Sequence, residues 1–543
     1  TGSDGTDGAV IITGAALIEP ASGVTIDTSS SDGSVSFSST VNSDANKTLT
    51  ISSGGGAVDF AGVIGGVAGD HLTGLSINAQ GSSTGTGTID ILQIGDTTGT
   101  EYGVEGTVTI GNTATGDVTF DGLEYVVDGA LTVTSASGEK ILFTGANATT
   151  VQTNQDAIQF NTGTIQLAAS TPLTINSVGG AITVKSVMSA GTTADNDVTI
   201  NANSDALGGG ANDGDDTIDT ETISIGAVGA VSDIGKLKLD AADGVTLTGN
   251  ITLANAADAD LDVNSKAFIS GDVTISTDTS GTDGTIDFAS TIDGVSDSTD
   301  DNLVLLTGDN GGSLSLGGVI GGSVALTTLD INQSAGTIAM SIPGIGGASA
   351  GVTGATRIGN TGSGDITFTA DGANAYNFGG SLTVTSDGGA GAFTFTNAPT
   401  ITAGGAVAFN EGSGTDDTMV LTDLKNLSIT TASANTDITL PNIDGTASDG
   451  DLGTDLTVNA GTGTVNLESI DTDINDLQVT GGTIKLGGSI TTAATTPTGG
   501  TLDPAQITLT GEDPWITQEI DNAGVSDCSF GNRWIRLSNR IYS

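Results

Sequence analysis

One cysteine, Cys528, in 543 residues rules out an intrachain disulfide. Stability must then come from backbone ladders or from assembly. One histidine, His71, removes histidine-based nucleophilic catalysis and, with so little cysteine, any zinc constellation. Aromatic residues are 3% of the chain, too few to organise a compact core around aromatic anchors. Basic residues number 12 against 64 acidic ones, a net charge of −52, which excludes nucleic acid and anionic membrane surfaces as partners. No run of 18 apolar residues occurs, so no membrane-inserted helix is expected. No phosphate-cradling Gly-x-x-x-x-Gly-Lys-Ser/Thr occurs either. The chain opens at Thr1 without a leader, which reads as a mature or excised piece.

What is present is glycine, 84 residues of it, and apolar content divided into very short pieces. The recurring piece is a tripeptide with apolar ends and a small polar middle: Leu49-Thr50-Ile51, Val108-Thr109-Ile110, Ile182-Thr183-Val184. Period-two alternation with β-branched residues is a strand signal, and the Gly/Asp/Asn/Ser clusters between pieces are turn chemistry. Strands this short hold together when stacked coil on coil. The expected fold is therefore all-β, an elongated parallel, right-handed β-helix or solenoid with the tripeptide's ends pointing inward. Coils of roughly 20–25 residues rising about 4.8 Å would give a rod on the order of 100 Å. The rival architecture, a string of antiparallel sandwiches, would repeat near 100 residues.

The repeat that occurs is longer. Gly62-Val63-Ile64-Gly65-Gly66 returns as Gly318-Val319-Ile320-Gly321-Gly322, Ile110-Gly111-Asn112-Thr113 as Ile358-Gly359-Asn360-Thr361, and Tyr125 as Tyr376. The chain thus divides into two β-helical modules, 1–255 and 256–500, and a compositionally distinct segment, 501–543. A duplicated scaffold is selected for length and surface.

These segments, with Gly284-Thr285-Ile286-Asp287-Phe288 and Ala325-Leu326-Thr327-Thr328-Leu329, resemble the β-strand repeats of large bacterial cell-surface proteins related to filamentous haemagglutinin and autotransporter passengers. The resemblance covers roughly residues 20–495. It implies a secreted β-helical stalk, adhesin or surface fibre, with an extracellular or cell-surface location. A matching secretion domain and an outer-membrane strand series are missing from the text.

Chemistry-bearing residues are few. The loop around Asp213, Asp215, Asp216 and Asp219 resembles one turn of a calcium β-roll; a true roll needs consecutive copies, so it reads first as a solvated acidic loop and second as a weak calcium site. Asp297 to Asp301 is a weaker acidic cluster. No other cofactor is expected. Outward Asp59, Asp262, Asp287 and Asp330 could form carboxylate pairs on adjacent coils, as a polysaccharide-cleaving β-helix would need. Cations and aromatic platforms are too scarce there, since Arg357 is the one arginine before the last segment. That segment holds Trp515, Trp534, Arg533, Arg536 and Arg540, anchors suited to an end cap or to docking. Five Asn-x-Ser/Thr sequons, Asn332 among them, match what a Thr-rich chain yields by chance. The chain reads as a non-enzymatic structural protein whose partner is itself, head to tail, with cell-surface glycans as the adhesin alternative.

Overall fold

A computed structural model describes residues 8–19, 22–44, 47–66, 70–79, 87–95, 102–154, 156–168, 171–189, 196–202, 221–229, 234–253, 259–278, 282–296, 300–308, 311–332, 338–386, 391–410, 418–422, 426–433, 435–445, 454–470, 474–491, 506–510, 513–516, 520–521 and 527–530. Among the described residues there is no helix, and short strands follow one another throughout. They pair in parallel, each with a strand one coil earlier and one coil later. This is a β-solenoid, and it excludes antiparallel sandwiches for these residues. Two compact units result, Thr1–Ala267 and Phe268–Ser543.

Unit 1 has three ladders. The first stacks Val10–Ile12, Val35–Phe37, Val58–Ile64, Ile89–Ile94, Val118–Phe120, Lys140–Phe143 and Thr164–Leu167. The second includes Ala16–Ile18 and Val41–Ser43 and, further along, Glu124–Val127, Thr149–Thr153, Leu173–Ser177, Val198–Asn201 and Leu237–Asp240. The third runs from Val24–Asp27 through Lys47–Ser52, Leu72–Ile77, Val108–Ile110 and Leu131–Val133 to Gly244–Leu247. The tripeptides explain the geometry. Their outer residues face the interior, where Val108, Ile110, Leu131 and Val133 are at most 1% exposed, and their middle residue faces out. Burying each such Val, Leu or Ile contributes roughly 1.5–3 kcal/mol.

Unit 2 repeats the scheme. One ladder runs from Asp272–Ser276 through Asn302–Leu306, Thr328–Ile331 and Leu382–Thr385 towards Thr483–Leu486. Side chains one coil apart are 23 residues apart at Ser36 and Asp59 but 27 at Thr439 and Asn466. Coils are thus longer in places than the expected 20–25 residues. Inside unit 2 the ladders continue past Thr501: Gln506–Thr510 pairs with Ile474–Thr480, Asp513–Ile516 with Thr483–Leu486, and Asp527–Phe530 with Gln506–Thr510. The described strands of that segment thus keep the parallel pairing of the preceding coils.

The duplication is visible in the buried corners of each unit. Asn78 and Asn332 both adopt positive φ, 49° and 50°, a conformation asparagine tolerates better than other side chains. In unit 1 the Asn78 Oδ1 accepts from the Ser53 amide at 2.8 Å, and its Nδ2 donates to the Ser53 hydroxyl at 2.9 Å. In unit 2 Asn332 does the same with Thr307, at 2.9 Å and 2.9 Å. The carbonyl of each is capped by the next coil's asparagine, Asn112 or Asn360. Asn332 is fully buried and fully used, so this sequon is not a surface glycosylation site. Tyr125 and Tyr376 match as well: each buried hydroxyl donates to a carbonyl, of Ile91 at 3.0 Å and of Ile342 at 2.8 Å. The aromatics, though scarce, are not scattered; Phe120 stacks on Phe143, and Phe368 on Phe395.

Candidate functional site

The outward middle positions of the tripeptides form columns, and in unit 1 two columns have opposite character. On the first ladder Asp59 and Asp90 are register partners, flanked by Ser36 on one side and Thr119 on the other. The Ser36 hydroxyl donates to Asp59 at 3.1 Å, and the Thr144 hydroxyl to Asp121, which follows the Val118–Phe120 strand. Asp90 lies among these carboxylates. Burial first, then the charge and the shared hydrogen bond of Asp121, then the charge of Asp59, push its carboxyl from the ordinary 3.8 up to about 6.

That shift makes a pH prediction. The folded chain holds the Asp90 proton more tightly than the unfolded chain does. Its stabilisation is complete below about pH 4 and is lost as pH rises through about 6. A shift of this size is worth roughly 3 kcal/mol in a dry site, and solvent around half-exposed Asp90 reduces it to about 1 kcal/mol. Asp90→Asn should therefore stabilise unit 1 at pH 7 by that amount. The difference between mutant and wild-type urea midpoints should vanish below pH 4; a pH-independent difference would contradict the carboxylate stack.

The third ladder is the counterpart. Thr25, Thr50, Ser76, Thr109 and Thr132 stack in register, and the column runs on through Gln159 to Thr246 without a charged member. Two residues further along the same strands, the outward positions hold Asp27 in the first row and Lys185 in the seventh, both exposed. The Ser29 hydroxyl and then its amide hold the Asp27 carboxyl below its usual range.

The first coil of unit 1 is the third surface feature. Ile11 is 67% exposed and Leu17 50%. The inward residues Val10, Ile12, Val24 and Ile26 are half-exposed, whereas their partners Val35, Phe37, Leu49 and Ile51 are buried. Among the described residues, the strands Val10–Ile12, Ala16–Ile18 and Val24–Asp27 have a strand neighbour on one side. This first described coil thus presents apolar side chains at its surface.

The other residues singled out in the sequence are placed as follows. Asp213, Asp215, Asp216 and Asp219 lie outside the described residues, as do Asp297, Trp534, Arg533, Arg536 and Arg540. Trp515 is in register with Lys485, and Cys528 with Ile507. Asp301 is 3% exposed and accepts from the amides of Gly271 at 3.0 Å and Val295 at 2.9 Å, a structural use of its carboxylate. Asp262 is paired with Lys236 at 3.9 Å, and Asp330 with Arg357 at 3.3 Å. Asp287 faces Ser315. Of the four outward carboxylates, Asp59 meets another acid, Asp90, in register. Asp90 and Asp121 went unnoticed, although laying Val58-Asp59-Phe60 over Ile89-Asp90-Ile91 as successive coils would have exposed the first of them. Among the described residues no group of three or more His, Cys, Asp or Glu side chains is placed to hold a metal ion. Unit 2 has a cleft of about 410 Å³ lined by four glycines and by small or apolar residues such as Val319 and Pro343, with Thr369 and Asp371. The Asp371 carboxylate already accepts from the Ala398 amide at 3.2 Å.

By fold the chain is a parallel β-solenoid, and its described residues carry an acidic column, a neutral hydroxyl column and an apolar first coil. No protein-family model matches it, no curated protein matches its sequence, and no solved structure matches it.

Proposed function

We propose that this chain is a structural, non-enzymatic subunit of an extracellular fibre, sheath or layer, joined end to end. The observation that supports this most is the parallel stacking of short strands, coil on coil, through each unit, a scaffold that supplies length and surface, with Ile11 and Leu17 exposed on the first described coil. A strand edge of such a stack is a template for a further parallel coil. The partner is a second copy, whose last segment brings Trp515, Trp534 and three arginines to an acidic neighbour and reduces the repulsion between chains of charge −52. Calcium is not required for this contact. The carboxylate stack does not change the reading: Lys236 and Arg357, two of the few cations a uronate substrate could use, are ion-paired to Asp260, Asp262 and Asp330 in other coils.

The test is electron microscopy and sedimentation of the full chain. Deleting the last segment would uncover the Thr483–Leu486 strand, on which Asp513–Ile516 is stacked, and create a new edge. Charge reversal is cleaner. Arg533→Glu/Arg536→Glu/Arg540→Glu, and separately Ile11→Asp/Leu17→Asp, should reduce multi-subunit rods to single subunits with unchanged circular dichroism, with or without a chelator. Wild-type material that stays monomeric at all concentrations, or variants that assemble normally, would refute the proposal.

A further inference from the structure

We infer that the hydroxyl column of unit 1 is a second, lateral interface, and that it pairs with the same column of another copy lying antiparallel beside it. Like-charged chains repel through most of their surface, so side-by-side contact needs a face of low charge. The third ladder is such a face. Its central column from Thr25 to Thr246 carries no charge, the adjoining outward column adds Asp27 and Lys185, which cancel, and the half-buried Lys47 opens the second strand at the margin of the face. Identical small β-branched side chains on facing parallel sheets pack into dry interfaces at a sheet separation of about 10 Å.

The two charges also fix the register. Place a twofold axis along the strand Val108–Ile110, in the plane between two such faces. The row of Thr109 then meets itself, Ser76 meets Thr132, Thr50 meets Gln159, and Thr25 meets Thr183. Asp27 is two residues beyond Thr25 and Lys185 two beyond Thr183, on strands that keep their direction across this axis. Each copy's Asp27 therefore lies opposite its partner's Lys185, and one symmetric contact contains two ion pairs. Within one chain the two residues are six coils apart, about 29 Å at about 4.8 Å per coil, so they do not pair internally.

Size decides how this contact works. A strip seven rows long and one short strand wide is about 34 Å by 10 Å, roughly 700 Å² counting both copies. That is below the ~1,200 Å² of a free-standing stable interface. The lateral pair is therefore weak between single subunits and strong between subunits already joined end to end, where each contact raises the effective concentration of the next. Its strength in a fibre rests on the end-to-end reading above; its geometry does not.

Zero-length carbodiimide coupling of the full chain, read by mass spectrometry, tests it. The dominant intermolecular link should join Asp27 to Lys185. Thr109→Glu, which sets two carboxylates face to face on the axis, should lower the yield of that link at least tenfold while leaving both partners reactive. In sedimentation equilibrium, Asp27→Lys or Lys185→Asp alone should weaken lateral pairing about tenfold, and the double swap should restore it, a rescue that only an intermolecular pair gives. The arginine reversals that abolish end-to-end rods should leave the Asp27–Lys185 link in place, so the two interfaces fail separately. Links scattered over other acidic residues, a yield indifferent to Thr109→Glu, or no rescue by the double swap would each overturn the inference.

Discussion

Asn332→Ala should lower the stability of unit 2 by about 3 kcal/mol, and Asn78→Ala should do nearly the same to unit 1. Three costs add at the same atom positions. The Thr307 amide, which donates to the Asn332 Oδ1 at 2.9 Å, is left without an acceptor in a fully buried corner, and an orphaned buried donor costs about 1–3 kcal/mol. The Thr307 hydroxyl loses the donor at 2.9 Å that fixes its orientation. Alanine must then occupy φ near 50°, which costs about 1 kcal/mol more than asparagine's occupancy of it. Stability in a solenoid is local, so hydrogen exchange is the better readout than one global midpoint. Protection should fall at the amides of Thr307, Asn332 and Gly359, which donates to the Ile331 carbonyl at 2.8 Å. Asn332→Gly should recover the backbone part of the loss and not the rest. Unchanged protection in Asn332→Ala would mean that the corner network carries no stability.

How much of this was readable in the text depends on the range of the signal. Val108-Thr109-Ile110 declares its strand by itself, since alternation and β-branching are local, and enough such pieces point to stacked parallel coils. The corner asparagines do not declare themselves. Asn78 stands among Ser, Gly and Asn residues like many other turn residues, and what sets it apart is the Ser53 amide 25 residues earlier, one coil away. The carboxylate stack is hidden for the same reason: Asp59 and Asp90 meet because one turn is longer than its neighbours, and turn length is what a repetitive text leaves undetermined. The hydroxyl column could be read residue by residue, but its neutrality as a face appears once the ladders fix which residues share a side. Scarcity misled in one respect. An aromatic content of 3% suggests no aromatic core, yet the register brings the few rings into contact, so their effect is concentrated.

That concentration makes Phe368→Ala the most damaging single change expected in unit 2, at about 4 kcal/mol. Phe368 ends the Ile366–Phe368 strand, points inward and is fully buried. Its ring stacks on Phe395 with centroids 4.8 Å apart and planes 10° from parallel. It also meets the edge of Tyr376 at 5.3 Å and 85°, and of Phe409 at 5.9 Å and 68°. Truncation removes the transfer free energy of a whole ring and leaves a cavity whose walls belong to three separate coils. Those walls are tied by backbone ladders above and below, so they resist collapse into the space, which places the cost at about 4 kcal/mol, within the 3–5 kcal/mol range for Phe→Ala. Phe368→Leu refills most of the volume and should cost less than 1.5 kcal/mol. The Tyr376 hydroxyl gives an internal reporter: it is held by the Ile342 carbonyl at 2.8 Å and the Ala370 amide at 3.0 Å, and burial keeps it from ionising in the ordinary range. In Phe368→Ala its near-ultraviolet dichroism should weaken and its ionisation move back towards 10, while Phe120→Ala should leave both signals of Tyr376 intact because the Phe120 stack belongs to unit 1. A Phe368→Ala chain with wild-type stability and an unaltered Tyr376 signal would show that the coils, and not the rings, hold this part of the core.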